Sequence, residues 1–391
     1  MSLIGQSVTV LGAGVAGLAV ARALALRGAQ VVVLEQADAI REVGAGLQIS
    51  PNGAAVLRAL GLGDALQAAS TRALAVELRD GPSGDLVTRL DVSGAAGGYH
   101  FVHRADLIAL LLAGAREAGV ELRLLQKIAS IDLGGARPRW QNAQGAAGET
   151  DLLIGADGLH STLRAALTGK VAPFFTHQVA WRALIPETPG VENRAEVHMA
   201  PGRHLVSYPL RGGTLRNIVA VEERRAWVEE GWTIRDDSMD MKLAFEGFSP
   251  RVRGWLEQVE DVWLWGLFRH PVAKQWFAVQ DQGAAVILGD AAHPTLPFLA
   301  QGACMALEDA WVLADCLATH DSMAAGLAAY QSARLPRCAR IVAAANTNAR
   351  LYHLSGPARG IAHLGLRLGS VVAPGAAIKR FDWLYKQDVT A

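Results

Sequence analysis

His204 and Tyr208 stand four residues apart in the run Arg203-His204-Leu205-Val206-Ser207-Tyr208-Pro209. The run reads as a strand, whose period of two places His204, Val206 and Tyr208 on one face. At strand rise the two Cα atoms lie roughly 13 Å apart, so an imidazole and a phenol can grip opposite ends of one aromatic ring. An imidazole, with its ordinary pKa near neutrality, can take a proton from a ligand hydroxyl or accept its hydrogen bond. The phenol can orient the same ligand. A strand histidine can equally be a satisfied core residue, so the pair gains meaning only from what surrounds it. Gln48 and Gln301 are further candidate polar pocket residues; His198 is unspecific, and His293 reads as structural.

A second constellation handles nucleotides. Gly12-Ala13-Gly14-Val15-Ala16-Gly17 fits G-x-G-x-x-G between a short β-branched run, Val8 to Leu11, and an alanine-rich helix pattern, Ala16 to Leu26. Glycine is required because the turn is tight and its backbone must approach a pyrophosphate, which then rests on the free N–H groups of a helix N-terminus. Glu35 ends the next strand, Gln30 to Leu34, about 18 residues beyond Gly17, where a carboxylate can accept from ribose hydroxyls. An acid there disfavours a ribose 2′-phosphate, so the turn calls for FAD or NAD rather than NADP. Far along the chain, Leu288 to Ala310 (LGDAAHPTLPFLAQGACMALEDA) reads as a second such turn. Two turns separated by most of the chain indicate one long cofactor held at both ends.

Composition agrees with a compact fold. The chain has 391 residues, 51% hydrophobic and 19% charged, with 37 basic and 37 acidic side chains. That is enough for two or three domains with a sizeable core. The balanced charge and the absence of an acidic or basic tail point away from nucleic acid and anionic membranes. Cys304, Cys316 and Cys338 have no metal-ligand spacing and read as unpaired thiols of a reducing cytoplasm, with no metal implied. Leu3 to Ala21 is uncharged, but its three close glycines and lack of a basic start read as strand, turn and helix rather than a signal or membrane segment.

The elements that must position these residues follow from periodicity. Asn52 to Leu60 and Arg104 to Ala118 read as helices, Val120 to Leu125, Asp151 to Ile154 and Ala285 to Leu288 as strands, and the chain after Ala303 as helical. From about Phe174 to Ala278 the texture changes. Trp181, Trp227, Trp232, Trp255, Trp263, Trp265 and Trp276 fall here among strand-like alternation, which indicates a mostly antiparallel sheet suited to sealing a pocket from water.

Taken in order, Gly12 to Gly17, Gly44-Ala45-Gly46-Leu47-Gln48 with Pro51-Asn52, His103-Arg104-Ala105-Asp106-Leu107, Gly155 to Ser161, and Gly289-Asp290-Ala291-Ala292-His293 resemble the single-component FAD-dependent aromatic hydroxylases. The resemblance covers essentially the whole chain. The form Ala300-Gln301-Gly302-Ala303-Cys304, where many relatives read G-Q-G-x-N, is most similar to the branch of 3-hydroxybenzoate 6-hydroxylase, salicylate hydroxylase and 6-hydroxynicotinate 3-monooxygenase.

The resemblance implies an α/β fold: a Rossmann-like FAD-binding domain of the GR2 type over 1–73, 98–173 and 279–345, an inserted mostly antiparallel β-sheet substrate domain over 74–97 and 174–278, and a helical C-terminal segment over 346–391. It implies that NADH or NADPH reduces FAD and that O2 then gives a flavin C4a-hydroperoxide that hydroxylates a phenolic or N-heteroaromatic ring. Asp290 is then expected on the ribityl chain, Arg104 at the phosphates, and Asp157 near both FAD and nicotinamide. The backbone at Gly302, Ala303 and Cys304 is expected at the flavin pyrimidine, and the Pro297 carbonyl at its oxygen-reacting edge. Gln36, Ala45, Gly46, Gln48 and Ile128 are expected as further cofactor contacts, with Arg41 standing out of register for the arginine expected before Gly44. In this branch a His and a Tyr at four-residue spacing contact the substrate phenol, which gives His204 the role of base and Tyr208 that of orienting group. Gln48, Pro297 and Gln301 are expected to line the substrate site. A small aromatic substrate, no membrane anchor and a cytoplasmic protein, with a homodimer left open, complete the expectation. An epoxidase, lipid-quinone hydroxylase or halogenase of the same fold, or a non-catalytic flavin sensor, are the alternatives.

Overall fold

The computed structural model describes residues 2–40, 45–188, 190–224, 226, 234–372 and 375–391. The β-branched run near the start forms Ser7–Leu11, in parallel register with Gln30–Leu34 on one side and Leu152–Gly155 on the other. These strands are apolar along most of their length, as strands covered on both faces must be. Six strands run in the order Phe277–Val279, Ala284–Ile287, Leu152–Gly155, Ser7–Leu11, Gln30–Leu34 and Glu121–Arg123. All neighbours are parallel except the Phe277–Val279 hairpin edge. The strand expected over Val120 to Leu125 is shorter because the chain turns at Leu125, where φ is 58°.

Helices Val15–Ala25, Arg104–Glu117 and Gly302–Thr319 cover this sheet and share one apolar core with it. Helix Pro51–Ala59 packs on Gly302–Thr319 where Gly53 leaves room for the Cys304 side chain; a Cβ on Gly53 would lie 2.8 Å from the Cys304 sulfur.

The second sheet has eight strands: Ile234–Asp236, Val262–Arg269, Phe174–Pro186, Leu215–Glu223, Arg203–Leu210, Arg194–Ala200, Ala75–Asp80 and Leu86–Asp91. Every neighbouring pair is antiparallel except Ala75–Asp80 with Arg194–Ala200. Alternation separates its faces. Val179, Trp181, Leu205, Ile218 and Ala220 point to one side, which helices Ser238–Ala244 and Pro250–Glu257 close with an apolar layer. Arg182, His204, Val206, Tyr208, Val219 and Val221 point to the other side and wall a cavity.

The tryptophans do not seal that cavity as a group. Trp181 lies in the opposite core and Trp276 in the first, while Trp255 carries the guanidinium groups of Arg216 and Arg251 on its ring. Of the described tryptophans in this region, Trp265 alone lines the cavity; Trp227 and Trp232 lie outside the described residues. Closure falls instead to the C-terminal region. The 30-residue helix Met323–Tyr352 delivers Tyr352 and His353 onto the His204 side of the sheet. Among the described residues, no helix is long and apolar enough to cross a membrane.

Candidate active site

Two turns converge between the sheets. Gly12 has φ of 97°, and a Cβ there would meet the Ala156 carbonyl oxygen at 2.6 Å. A Cβ on Gly17 would lie 1.9 Å from the Gly12 carbonyl oxygen. Gly12 and Gly17 therefore serve the tightness of the turn, whereas a Cβ on Gly14 would meet no atom within 4 Å and would project into the cavity. The second turn, Gly289 to Ala291, seats against the first, with Gly289 close to Ala16.

The convergence is held from behind by a buried ionic network. Arg334 bonds Glu308 at 2.5 Å and Asp309 at 2.7 Å, and Arg337 also reaches Glu308. Asp309 in turn accepts from the Gly289 N–H at 2.9 Å and from His293 at 2.5 Å. Burial opposes a charge on His293, but the Asp309 carboxylate outweighs it and holds the imidazole well above its ordinary value. His293, Asp309 and Cys338 offer ligand atoms within 4.8 Å of one another. Asp309 is already committed to three donors, so the cluster reads as an ion-pair lock on the second turn.

The cavity has a volume of about 1060 Å³ and is lined by Gly14, Val15, Ala16, Gly46, Gln48 and Arg104 from the first half of the chain. Asp290, Pro297, Gln301, Gly302 and Ala303 line it from the second turn, and His204 and Tyr208 from the eight-stranded sheet. Gly12, Ala13, Gly17 and Glu35 stand one layer behind. The Glu35 carboxylate accepts from the Ala13 N–H at 2.7 Å and the Ala37 N–H at 2.9 Å, so the acid braces the turn and retains lone pairs for a ribose. Ala45 accepts from the Arg104 N–H at 2.9 Å, which fixes the start of the Arg104–Glu117 helix at the cavity. Gln36 is exposed beyond the Gln30–Leu34 strand, and Ile128 packs against the first core, so neither lines the cavity. Arg41 lies outside the described residues.

These surroundings fit a long dinucleotide. The helix Gly302–Thr319 has no side-chain cap, and its first N–H groups open on the cavity beside Gly302 and Ala303. Asp157 is held by the Thr162 N–H at 2.7 Å, while its second carboxyl oxygen is buried without a partner. Asp290 is exposed only in the sense that it faces the cavity. Enclosure there pushes its carboxyl up, against His293 and Arg104. The Cys304 side chain turns away, to Ser50 at 3.3 Å, so this residue can offer the cavity only its backbone. Ala300 precedes the helix with φ of 52°, a left-handed conformation costly for any residue with a Cβ.

At the other end His204 and Tyr208 are buried on the same face, as the strand period requires. The Tyr208 ring stacks on Phe101 with centroids 5.0 Å apart, and burial pushes its hydroxyl up despite Arg182 and a hydrogen bond with Gln48. Gln48 also accepts from Tyr99 at 2.7 Å. His204 Nδ1 lies 2.7 Å from His353 Nε2, and His353 Nδ1 lies 2.8 Å from a Glu223 carboxylate oxygen. Burial, then His353, holds the His204 imidazole well below its ordinary value, so it is neutral.

A further expectation changes. Gln301 borders the cavity, but its amide donates to Ser50 at 2.8 Å and accepts from Asn52 at 3.2 Å, so the side chain braces the loop instead of facing a substrate. Sequence reasoning missed Arg182, stacked 3.5 Å over the Trp265 ring, together with Tyr99, His353 and Glu223. Period two from Trp181 could have flagged Arg182 as inward-facing. Nothing local marks the others.

Comparisons with known proteins follow the same lines. Residues 6–345 match the family described as FAD binding domain. The chain is 32% identical to 3-hydroxybenzoate 6-hydroxylase of Klebsiella oxytoca over 96% of this chain and 95% of that protein. It is 36% identical to 3-amino-4-hydroxybenzoate 2-monooxygenase of Streptomyces cremeus over 89% of this chain and 88% of that protein. A salicylate hydroxylase substrate complex shares the fold, with a TM-score of 0.81 at 23% identity over 98% of this chain and 96% of that one. The chain therefore belongs to the FAD binding domain family, as one of its FAD-dependent aromatic-ring monooxygenases.

Proposed function

We propose that this enzyme hydroxylates a phenolic or N-heteroaromatic ring of hydroxybenzoate or hydroxypyridine type, with NADH or NADPH as electron donor and O2 as oxygen source. The observation that carries the reading is the burial of His204 and Tyr208, four residues apart on one face of a strand, in the wall of the cavity that the dinucleotide turns also line. FAD, held by Gly14, Arg104, Asp290 and the first turn of Gly302–Thr319, supplies the redox chemistry that makes O2 reactive. The residues of this chain supply the rest. Neutral His204 accepts the substrate hydroxyl proton, which raises electron density at the ortho and para carbons. Tyr208 stays protonated and donates to the substrate, and Gln48 fixes its orientation. The Arg182 guanidinium at the cavity wall favours a ring that carries a carboxylate. Pro297 restricts the approach at the loop, and burial keeps water out.

The test is a panel of hydroxybenzoates and hydroxypyridines assayed for stimulated NADH and NADPH oxidation, with products weighed by mass spectrometry. A product heavier by one oxygen atom supports the reading. Flavin-loaded protein whose nicotinamide oxidation stays flat across the panel overturns it.

A further inference from the structure

We propose that His204, His353 and Glu223 form a proton wire that carries the substrate's hydroxyl proton from the buried end of the cavity to solvent. The inference rests on the ring hydroxylation proposed above. A proton accepted by His204 alone has nowhere to go: the ring is 1% exposed, and an isolated buried imidazolium is costly. The structure provides an exit. His353 is buried at the end of the Met323–Tyr352 helix, while the side chain of Glu223 is 53% exposed at the end of its strand. Gly202 pins the two together, its N–H donating to the His353 carbonyl and its carbonyl accepting from the Glu223 N–H.

The direction of the bonds follows from the carboxylate. An ionised carboxylate only accepts, so His353 Nδ1 carries the proton that points at Glu223. His353 Nε2 is then the acceptor, and His204 Nδ1–H must donate to it. His204 Nε2 is left with a lone pair for the ligand, which is the form a base needs. When Nε2 takes the substrate proton, the Nδ1 proton passes to His353 Nε2, the His353 Nδ1 proton passes to Glu223, and Glu223 releases it to water. The net change is a phenolate in the cavity and one proton in solvent. After oxygen transfer the hydroxylated ring carbon loses its hydrogen as a proton to solvent, and the wire run inward returns one proton to the product oxygen and restores both tautomers.

The charged neighbours are few. Arg203, beside the entry, opposes a charge on His353, but it is paired with Glu222, which Arg224 also contacts. On the cavity side His204 meets the rings of Phe298 and Tyr352, and burial holds the Tyr352 hydroxyl protonated, pushed up to about 12.

The test mixes flavin-loaded enzyme with a nitrophenol carboxylate in a stopped-flow instrument, at a pH where the free nitrophenol is protonated, and follows phenolate absorbance. His353→Gln is expected to slow ionisation by at least about 10-fold with little change in nitrophenol affinity, and added imidazole is expected to restore part of the rate. Glu223→Gln, at a surface position that spares the fold, is expected to slow it as well, while Glu223→Asp recovers part of that loss. A merely structural His353 predicts no imidazole rescue and an unshifted pH profile. Wild-type rates and pH profiles in both His353→Gln and Glu223→Gln overturn the wire alone. Wild-type enzyme that never ionises the bound nitrophenol overturns the hydroxylation reading beneath it.

Discussion

Glu35 and Ala13 are joined by a 2.7 Å hydrogen bond from the Ala13 N–H to the carboxylate, so the acid after the second strand stiffens the glycine turn before any nucleotide binds. Hydrogen bonds to a charged acceptor contribute about 1.5–3 kcal/mol. Glu35→Ala is expected to lower the thermal midpoint of the apoprotein as well as its retention of FAD. Glu35→Gln, which keeps an acceptor, is expected to lose less of both. An apoprotein melting curve indistinguishable from wild type in Glu35→Ala would refute the bracing role.

Gly14 and Gly17 should separate cofactor binding from folding. Gly14→Ala adds a methyl into open cavity, so it is expected to reduce flavin occupancy while the apoprotein melts near the wild-type temperature. Gly17→Ala drives a methyl to 1.9 Å from the Gly12 carbonyl and is expected to destabilise the fold itself. Melting curves with and without added FAD distinguish the two, and equal apoprotein destabilisation in both variants would contradict the division.

His204→Gln is expected to cut turnover by about 10²–10⁴-fold while flavin content stays unchanged. Because burial and His353 hold the imidazole below its ordinary value of 6.5, His204 remains a competent base into mildly acidic solution. The acid limb of the kcat profile is therefore expected below 6.5. A limb centred above 6.5, or turnover near wild type in His204→Gln, would remove His204 from the base role.

Stability should also fall with acid. His204, His198 and His353 are buried with lowered values, so below their ordinary 6.5 the unfolded chain binds protons that the fold does not. Stability then rises with pH through that window and is lost as pH drops below 6.5. His293 runs the other way: its contribution is complete below 6.5 and is lost only as pH rises through its raised value. The net expectation is a falling melting temperature between about pH 7 and about pH 5, made shallower by His204→Gln. A flat or inverted curve would show that these rings are protonated in the fold.

Arg334→Leu strands the buried carboxylates of Glu308 and Asp309, and breaking such a pair costs about 3–5 kcal/mol. Since Asp309 also holds the Gly289 N–H, flavin retention is expected to fall with stability. Thermal melts and flavin release rates of the variant check both. A stable variant that keeps its flavin would mean that the second turn is held by packing alone.

Much of this was legible in the sequence where the signal was local. Three glycines after a β-branched run and an acid about 18 residues on define a dinucleotide turn because tight turns and close backbone approach admit little else. The strand period alone put His204 and Tyr208 on a common face, and Arg203–Leu210 lies as that period requires. The helices Ser238–Ala244 and Pro250–Glu257 were hidden because each is a single short turn or two inside an aromatic, strand-like region.

The sequence by itself determined the family, the cofactor cradle and the chemical types available at the cavity, since each depends on residues within one turn or one strand. Tertiary structure decided what those groups can do. The partner of His204, His353, comes from 149 positions away, and His353 lies 130 positions from the Glu223 it meets; no periodicity links residues across such separations. Likewise Gln301 has a substrate-like side chain by sequence, yet Ser50 and Asn52 claim both ends of its amide. A side chain's type is local information; its free lone pairs are known only once the distant parts of the chain have packed against it.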